Sequence, residues 1–369
     1  MVKRIALNKQ VFNAYIQEAN VPLSAIKEKV EKIDDIMSGE IDPTFNQLIK
    51  IAKIINVPVG ALLLNEKMTE PKERLDFRVI QSKMEENKSE ELKATIQEMR
   101  MKQAFLKEEI EYELPYIHLF KAQTDVLQVA HEIRKILDVP KDYMGQAKPD
   151  AFNYFREKIN RIGVFVFLNG KVKDNTHRPL NIKEFRGFVL SDKQAPIIFI
   201  NQTDTKNGRL STLIHELVHL FVGNEGIFNS DALEESTQSF EAYINKITAE
   251  LLVPLAVFEK IKTNDIHILE TIFPVSQYVL YRRLLDTNRI SRTAYQVAVK
   301  ELEEAYTKAQ KNKKLSSESG GNFNNNLKYR MDSVFFRYVD NALKQNKISY
   351  TDAFQLVGVG YKGYKFLAK

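Results

Sequence analysis

His215-Glu216-Leu217-Val218-His219 sets two imidazoles four residues apart, with a carboxylate beside the first. On a helix, side chains at i and i+4 lie on one face, so His215 and His219 can grip a single ion. This H-E-x-x-H spacing is the one that serves Zn²⁺: the histidines bind, and Glu216 is placed to take a proton from an activated water. The chemistry to expect is metal-assisted hydrolysis, with His215 and His219 as ligands and Glu216 as general base. The competing reading is an exposed helix that carries two histidines by accident. Leu213, Ile214, Leu217, Val218, Leu220 and Phe221 argue against it, because they make the helix apolar almost all round and therefore buried. Polar groups inside such a helix need partners, since an unpaired buried one is costly. Gly223 supplies the C-terminal stop.

A catalytic zinc needs a third protein ligand and an open fourth position. No histidine follows at H-x-x-G-x-x-H spacing, which leaves an acidic residue on a second helix. Glu225, Asp231, Glu234, Glu235, Glu241 and Glu250 are the downstream candidates. The stretch from Leu233 to Leu252 has helical periodicity and runs into Pro254, a natural stop. Glu241 shares a face there with Ile244, Thr248, Leu251 and Leu252, the stripe that should meet the core. Glu235 aligns with Gln238, Ser239 and Ala242, a solvated face. A carboxylate in an apolar stripe needs a cation, which points to Glu241; a salt bridge to Lys or Arg is the alternative use of the same residue.

Two stretches now carry a resemblance. Arg209-Leu210-Ser211-Thr212-Leu213-Ile214-His215-Glu216-Leu217-Val218-His219-Leu220, followed by Glu241-Ala242-Tyr243-Ile244-Asn245-Lys246-Ile247-Thr248-Ala249-Glu250-Leu251-Leu252-Val253-Pro254, resembles the paired helices of the ImmA/IrrE family of metallopeptidases. The resemblance implies that Glu241 is the third zinc ligand. Phe185-Arg186-Gly187-Phe188 and Ala195-Pro196-Ile197-Ile198-Phe199-Ile200-Asn201 look like the strands that lead into the family's active-site helix. Ile244 and Ile247 depart from the family pattern, but both are apolar exchanges that spare the ligands. The specific part of the match covers about residues 160 to 255. It implies a zincin-like fold and a narrow protein substrate: a helix-turn-helix repressor or antitoxin, cut to derepress stress, phage-defence or mobile-element genes.

The whole chain sets the frame. Its 369 residues suffice for two or three domains, and it has no cysteine. Disulfides, iron–sulfur clusters and thiol catalysis are thereby excluded, and His and carboxylate are left as zinc ligands. Apolar runs stay short of a membrane span and the first residues contain no apolar signal region, so the expected location is cytoplasmic, without a membrane partner. Net charge is +6, and from Glu301 onward twelve Lys and Arg face seven Asp and Glu, so the excess gathers near the C-terminus.

The expected fold class is α+β and mostly helical: a small sheet packed on the H-E-x-x-H helix, with helical modules at either end. Residues 1–67 resemble a Cro/repressor-type (XRE) helix-turn-helix, through Ser38-Gly39-Glu40-Ile41-Asp42-Pro43-Thr44 and the apolar helix Leu48, Ile49, Ile51, Ala52, Ile54, Ile55 ending at Asn56-Val57-Pro58. Where a recognition helix should carry DNA-reading residues, Lys27 to Asp35 alternates acids and bases, which suits a solvated face better than phosphate. Residues 68–115 form a charged helical linker whose Leu92, Ile96, Met99, Leu106 and Ile110 recur at helical steps, with packing on the peptidase the plainer use of that stripe. Residues 116–260 make the peptidase domain, with strands at Ile162–Phe167 and Pro196–Ile200. Residues 261–307 make a helix-turn-helix-like scaffold unit. Residues 308–326 are polar and Ser/Gly/Asn-rich, a flexible linker. Residues 327–369 form a C-terminal helical module in which Tyr329, Phe335, Phe336, Tyr338, Tyr361 and Tyr364 interleave with basic residues. Core aromatics with a basic rim account for that better than a nucleic-acid surface.

The leading expectation is a Zn²⁺-dependent endopeptidase, with Tyr243, Arg209 and His177 as candidate oxyanion donors. The alternative is a regulator that binds DNA or a repressor, through the N-terminal helices or the basic C-terminal module, around a structural or latent zinc. His118, His131 and His267 are isolated and have no assigned role.

Overall fold

The computed structural model describes residues 4–19, 23–55, 57, 59–66, 76–77, 88–223, 233–315 and 323–368. The chain divides into two compact units, Met1–Arg74 and Leu75–Lys369.

In the first unit four helices enclose a small core: α1 (Lys9–Glu18), α2 (Leu23–Lys27), α3 (Ile33–Ser38) and α4 (Phe45–Ile55), followed by a 3₁₀ turn at Val59–Leu63. α4 opens on a reciprocal cap: the Gln47 amide donates to Thr44 Oγ1 (3.3 Å), and the Thr44 amide donates back to Gln47 Oε1 (2.9 Å). Phe12, Ile26, Ile33, Leu48, Ile51 and Leu62 are buried together beneath these helices. The stretch Lys27–Asp35, where a recognition helix is expected, is divided. α2 ends at Lys27, residues 28–32 turn with Lys32 in the left-handed region at φ 61°, and α3 begins at Ile33. Val30 and Ile33 are buried, so apolar side chains draw this stretch inward at the expense of a continuous helix. Asn20-Val21-Pro22, Asn56, Pro58 and Arg78 lie outside the described residues.

The second unit is built on a four-stranded sheet in the order β1 (Asp76–Phe77), β4 (Gly187–Leu190), β5 (Ile197–Asn201), β3 (Phe165–Asn169). β3 runs parallel to β5, while β4 is antiparallel to both β5 and β1. The apolar runs that mark these strands are continuous, as a sheet buried on both faces requires. Side chains alternate across it: Val166, Leu168, Val189, Ile198 and Ile200 face one core, and Phe165, Phe167, Phe188, Leu190, Ile197 and Phe199 face the other. A second, two-stranded parallel sheet joins β2 (Phe120–Lys121) to β6 (Val222–Gly223).

The first core is closed by α6 (Val126–Leu137), α7 (Ala151–Arg161), α8 (Lys206–Phe221) and α9 (Leu233–Leu252), with α11 (Ile266–Ile272) and α12 (Gln277–Asp286) beyond them. The second core is closed by α5 (Glu90–Glu109) and by α15 (Ser333–Lys344), α16 (Tyr350–Val357) and α17 (Tyr361–Leu367). The periodic residues of α5, Leu92, Ile96, Met99 and Leu106, are buried in that core, so this helix packs on the sheet. Residues 327–369 do the same. Phe335, Phe336 and Tyr364 are buried in the second core, and Tyr361 is exposed. α13 (Arg292–Leu315) continues through the first eight residues of the stretch expected to be linker. Lys308-Ala309-Gln310-Lys311 are good helix formers, and polarity alone does not end a helix. Residues 316–322 lie outside the described residues.

A buried polar knot ties α15 to the sheet and to α7. Asp332, fully buried, caps α15 by accepting the amides of Val334 and Phe335 (both 2.9 Å) and also accepts the Val166 amide of β3 (2.8 Å) and Asn160 Nδ2. Arg156 of α7 donates to the carbonyls of Tyr329, Met331 and Val166 at 2.7–2.8 Å. No described helix is long and apolar enough to cross a membrane.

Candidate metal centre

α8 rises directly from the sheet. Thr205 caps it by accepting the Gly208 amide at Oγ1 (3.0 Å). The helix lies so close to β4 that a Cβ at Gly187 would stand 2.6 Å from Thr212 Cγ2 and 2.8 Å from the Phe199 carbonyl. Only glycine permits that approach. From Thr212 onward the helix is enclosed: every residue as far as Phe221 is buried, including His215, Glu216 and His219.

α9 packs alongside α8 and brings in the third group. His215 Nε2 lies 3.2 Å from Glu241 Oε2, His219 Nε2 lies 3.4 Å from Glu241 Oε1, and the two Nε2 atoms are 3.0 Å apart. These three residues form a group that could hold a metal ion. Both imidazoles are almost wholly buried, whereas the Glu241 side chain keeps 34% of its exposure, so the cluster opens to solvent on its carboxylate side. Burial pushes the Glu241 carboxyl pKa up. Hydrogen bonds and charge from His219 and His215 outweigh that and hold it well below the usual carboxylate range, so the group is ionised.

Asn245, one turn after Glu241, completes the arrangement. Its Oδ1 faces His215 Nδ1 at 3.1 Å. A carbonyl oxygen there favours a proton on Nδ1 and turns Nε2 toward the cluster. Both Glu216 oxygens are enclosed by protein, one residue on from His215.

The other candidates stand elsewhere. Glu250 is buried, but both its oxygens accept the Leu255 amide (3.2 Å each) and Oε2 accepts Arg283 Nη2 (3.0 Å), so it anchors the turn at Pro254. Glu225 and Asp231 lie outside the described residues, as do the side chains of Glu234 and Glu235. Tyr243 donates its hydroxyl to the Thr124 carbonyl (2.7 Å), and the Arg209 guanidinium lies over the Tyr329 ring at 5.6 Å. His177 is exposed in the loop after β3. Sequence reasoning did not single out Asn245. Its signal was the i+4 step from Glu241, together with the need of a ligating histidine for an acceptor at its second nitrogen.

A pair of helices, backed by a small sheet, thus offers two imidazoles and a carboxylate as a candidate metal site. Residues 160–285, about a third of the chain, match the M78 peptidase family model, described as an IrrE N-terminal-like domain, which supports kinship with the ImmA/IrrE group. No curated protein and no solved structure matches the chain.

Proposed function

We propose that the chain is a zinc-dependent endopeptidase, with His215, His219 and Glu241 as ligands and Glu216 as general base. The observation that carries this reading is the convergence of three donor atoms from two helices. Ligand bonds of about 2.0–2.2 Å around a tetrahedral ion would set donors roughly 3.3 Å apart. The separations of 3.0, 3.2 and 3.4 Å bracket that edge. Two imidazole nitrogens and a carboxylate facing one point repel one another unless a metal cation or protons sit between them. With no thiol in the chain, this nitrogen and oxygen set suits Zn²⁺.

Bound there, Zn²⁺ would supply Lewis acidity, bringing a water toward ionisation near neutral pH and polarising the scissile carbonyl. Asn245 fixes the His215 ring and its tautomer. Glu216, enclosed beside His215, accepts the proton from the attacking water and delivers it to the leaving amine. The half-open Glu241 side of the cluster leaves room for a peptide to approach. The substrate class follows from the ImmA/IrrE resemblance: a helix-turn-helix repressor or an antitoxin.

The test is Glu216→Gln, made in the zinc-loaded protein and assayed against a helix-turn-helix repressor co-expressed with it. Cleavage should fall by about 10²–10⁴-fold while one equivalent of zinc is retained. Undiminished cleavage by that variant would refute the assignment of the base.

A further inference from the structure

A cavity of about 370 Å³ is lined by Ser211 of α8, by Ala242, Asn245, Lys246, Thr248, Ala249 and Leu252 of α9, and by Tyr278 and Val279 of α12, and it meets the metal centre at Asn245, the partner of His215. We infer that this cavity is a specificity pocket that receives a large apolar side chain flanking the scissile bond. The inference rests on the peptidase reading above and deepens it.

Three observations join the cavity to the site. On α9, Glu241, Asn245, Thr248, Ala249 and Leu252 follow one another at i+3, i+4 and i+1 steps, so the stripe that begins at the cluster continues along the cavity wall. On α8, Ser211 stands one turn before His215 on the same line. The contacts of Glu241 with His215 and His219, and of Asn245 with His215, show that the two helices run antiparallel, which brings Ser211 toward Ala249. Asn245 is therefore shared: it borders the cavity while its Oδ1 holds the imidazole of His215. The mouth also agrees, because Ala242 and Asn245 are exposed next to the half-open Glu241 carboxylate.

The lining names the occupant. Ala242, Ala249, Leu252, Val279 and the Tyr278 ring give apolar walls, and the two alanines leave room that larger residues would fill. The charges stand at the rim, where Lys246 is exposed and Arg282 pairs with Asp286 at 2.9 Å. Against these apolar walls a charged side chain would lose its hydration, with only the exposed Lys246 and the already paired Arg282 and Asp286 at the rim to offset the loss, whereas Leu, Met, Phe or Trp would exchange water for carbon. Pockets of this size and character take mostly apolar groups oriented by a few polar ones. Asn245, exposed at the mouth, is the polar group placed to orient such an occupant.

The experiment uses the full-length, zinc-loaded chain with a peptide mixture randomised on both sides of a central bond, and products are read by mass spectrometry. Large apolar residues should be enriched at one flanking position. Ala249→Phe, which fills the cavity, should reduce cleavage of those peptides about tenfold or more while peptides with alanine there are still cut. Val279→Ala is the second variant and should shift the preference toward larger side chains. The chain has no tryptophan, so the emission of a tryptophan-containing hexapeptide reports its own burial. On Glu216→Gln that emission should shift to the blue with saturation, and Ala249→Phe combined with it should abolish the shift. Hydrolysis with a flat preference that neither variant alters would overturn the pocket and leave the peptidase reading standing. If no peptide is cut, cleavage of the co-expressed repressor decides the peptidase reading, and the emission titration decides the pocket alone: no saturable shift overturns it.

Discussion

Asn245→Ala isolates the contribution of a residue that touches no metal in the proposed centre. The Asn245 Oδ1 to His215 Nδ1 contact is 3.1 Å, an ordinary hydrogen bond, and it is the device that keeps the imidazole turned with Nε2 inward. Removing such an outer partner typically lowers metal affinity by about 10–100-fold, or roughly 1.4–2.7 kcal/mol. Asn245 is exposed on α9, and alanine is the better helix former, so the fold should lose nothing. The affinity loss would then belong to the site and not to unfolding. Competition against a chromogenic zinc chelator measures it, with the melting temperature followed in parallel. Asn245→Asp should restore or exceed wild-type affinity, because a carboxylate accepts the Nδ1 proton more strongly. Lys246→Ala, one residue further on, should change neither quantity. If Asn245→Ala binds zinc within about twofold of wild type, the ring does not depend on this bond and the proposed role is refuted.

Glu241→Ala and Glu250→Ala should separate cleanly. The first should cut zinc affinity by more than about 100-fold with the fold intact, as loss of a direct ligand costs more than loss of an outer partner. The second strands Arg283 beside the turn at Pro254 and should cost roughly 3–5 kcal/mol in denaturant unfolding, while the folded protein still binds zinc. Asp332→Ala removes a helix cap and leaves the buried Val166 amide without its acceptor, so roughly 3–5 kcal/mol should be lost in the same assay. Burial holds the Tyr143 phenol above its ordinary pKa, with Arg134 pulling slightly the other way. Folding therefore prefers the neutral form. The stability this contributes is complete below about pH 10 and is lost as pH rises from there toward the folded value. Compared with Tyr143→Phe in urea, wild type should keep its advantage up to about pH 10 and lose it progressively above that, and a difference that stays constant as pH rises past about 10 would contradict the burial argument.

Much of the site was legible because its logic is local. The i, i+4 spacing of His215 and His219 needs only helix geometry, and Glu241 stands out as a carboxylate in an apolar stripe that runs from Leu233 to Leu252, the span that α9 occupies. The β-branched and aromatic runs Ile162–Phe167 and Pro196–Ile200 marked two strands, although the first starts only at Phe165, past the turn at Gly163, and runs on to Asn169. What stayed hidden is non-local. Nothing in the sequence links Asp332 to Val166, 166 residues earlier, or Arg156 to the Met331 carbonyl 175 residues later. The order of the sheet, with β5 between β4 and β3, is likewise a matter of pairing and not of periodicity. The N-terminal stretch Lys27–Asp35 shows the converse error. The resemblance to a Cro/repressor-type domain placed a recognition helix there, and the stretch instead turns before Ile33, with Val30 and Ile33 buried.

The aromatic face of the sheet, Phe165, Phe167, Phe188 and Phe199, is roofed by α5 and by α15–α17, all of which lie outside residues 160–285. An excised fragment limited to that shared segment would expose those rings as a bare, sticky plane and should aggregate or refuse to fold. In this chain, then, the last forty residues are masonry for a sheet whose opposite face backs the candidate metal centre.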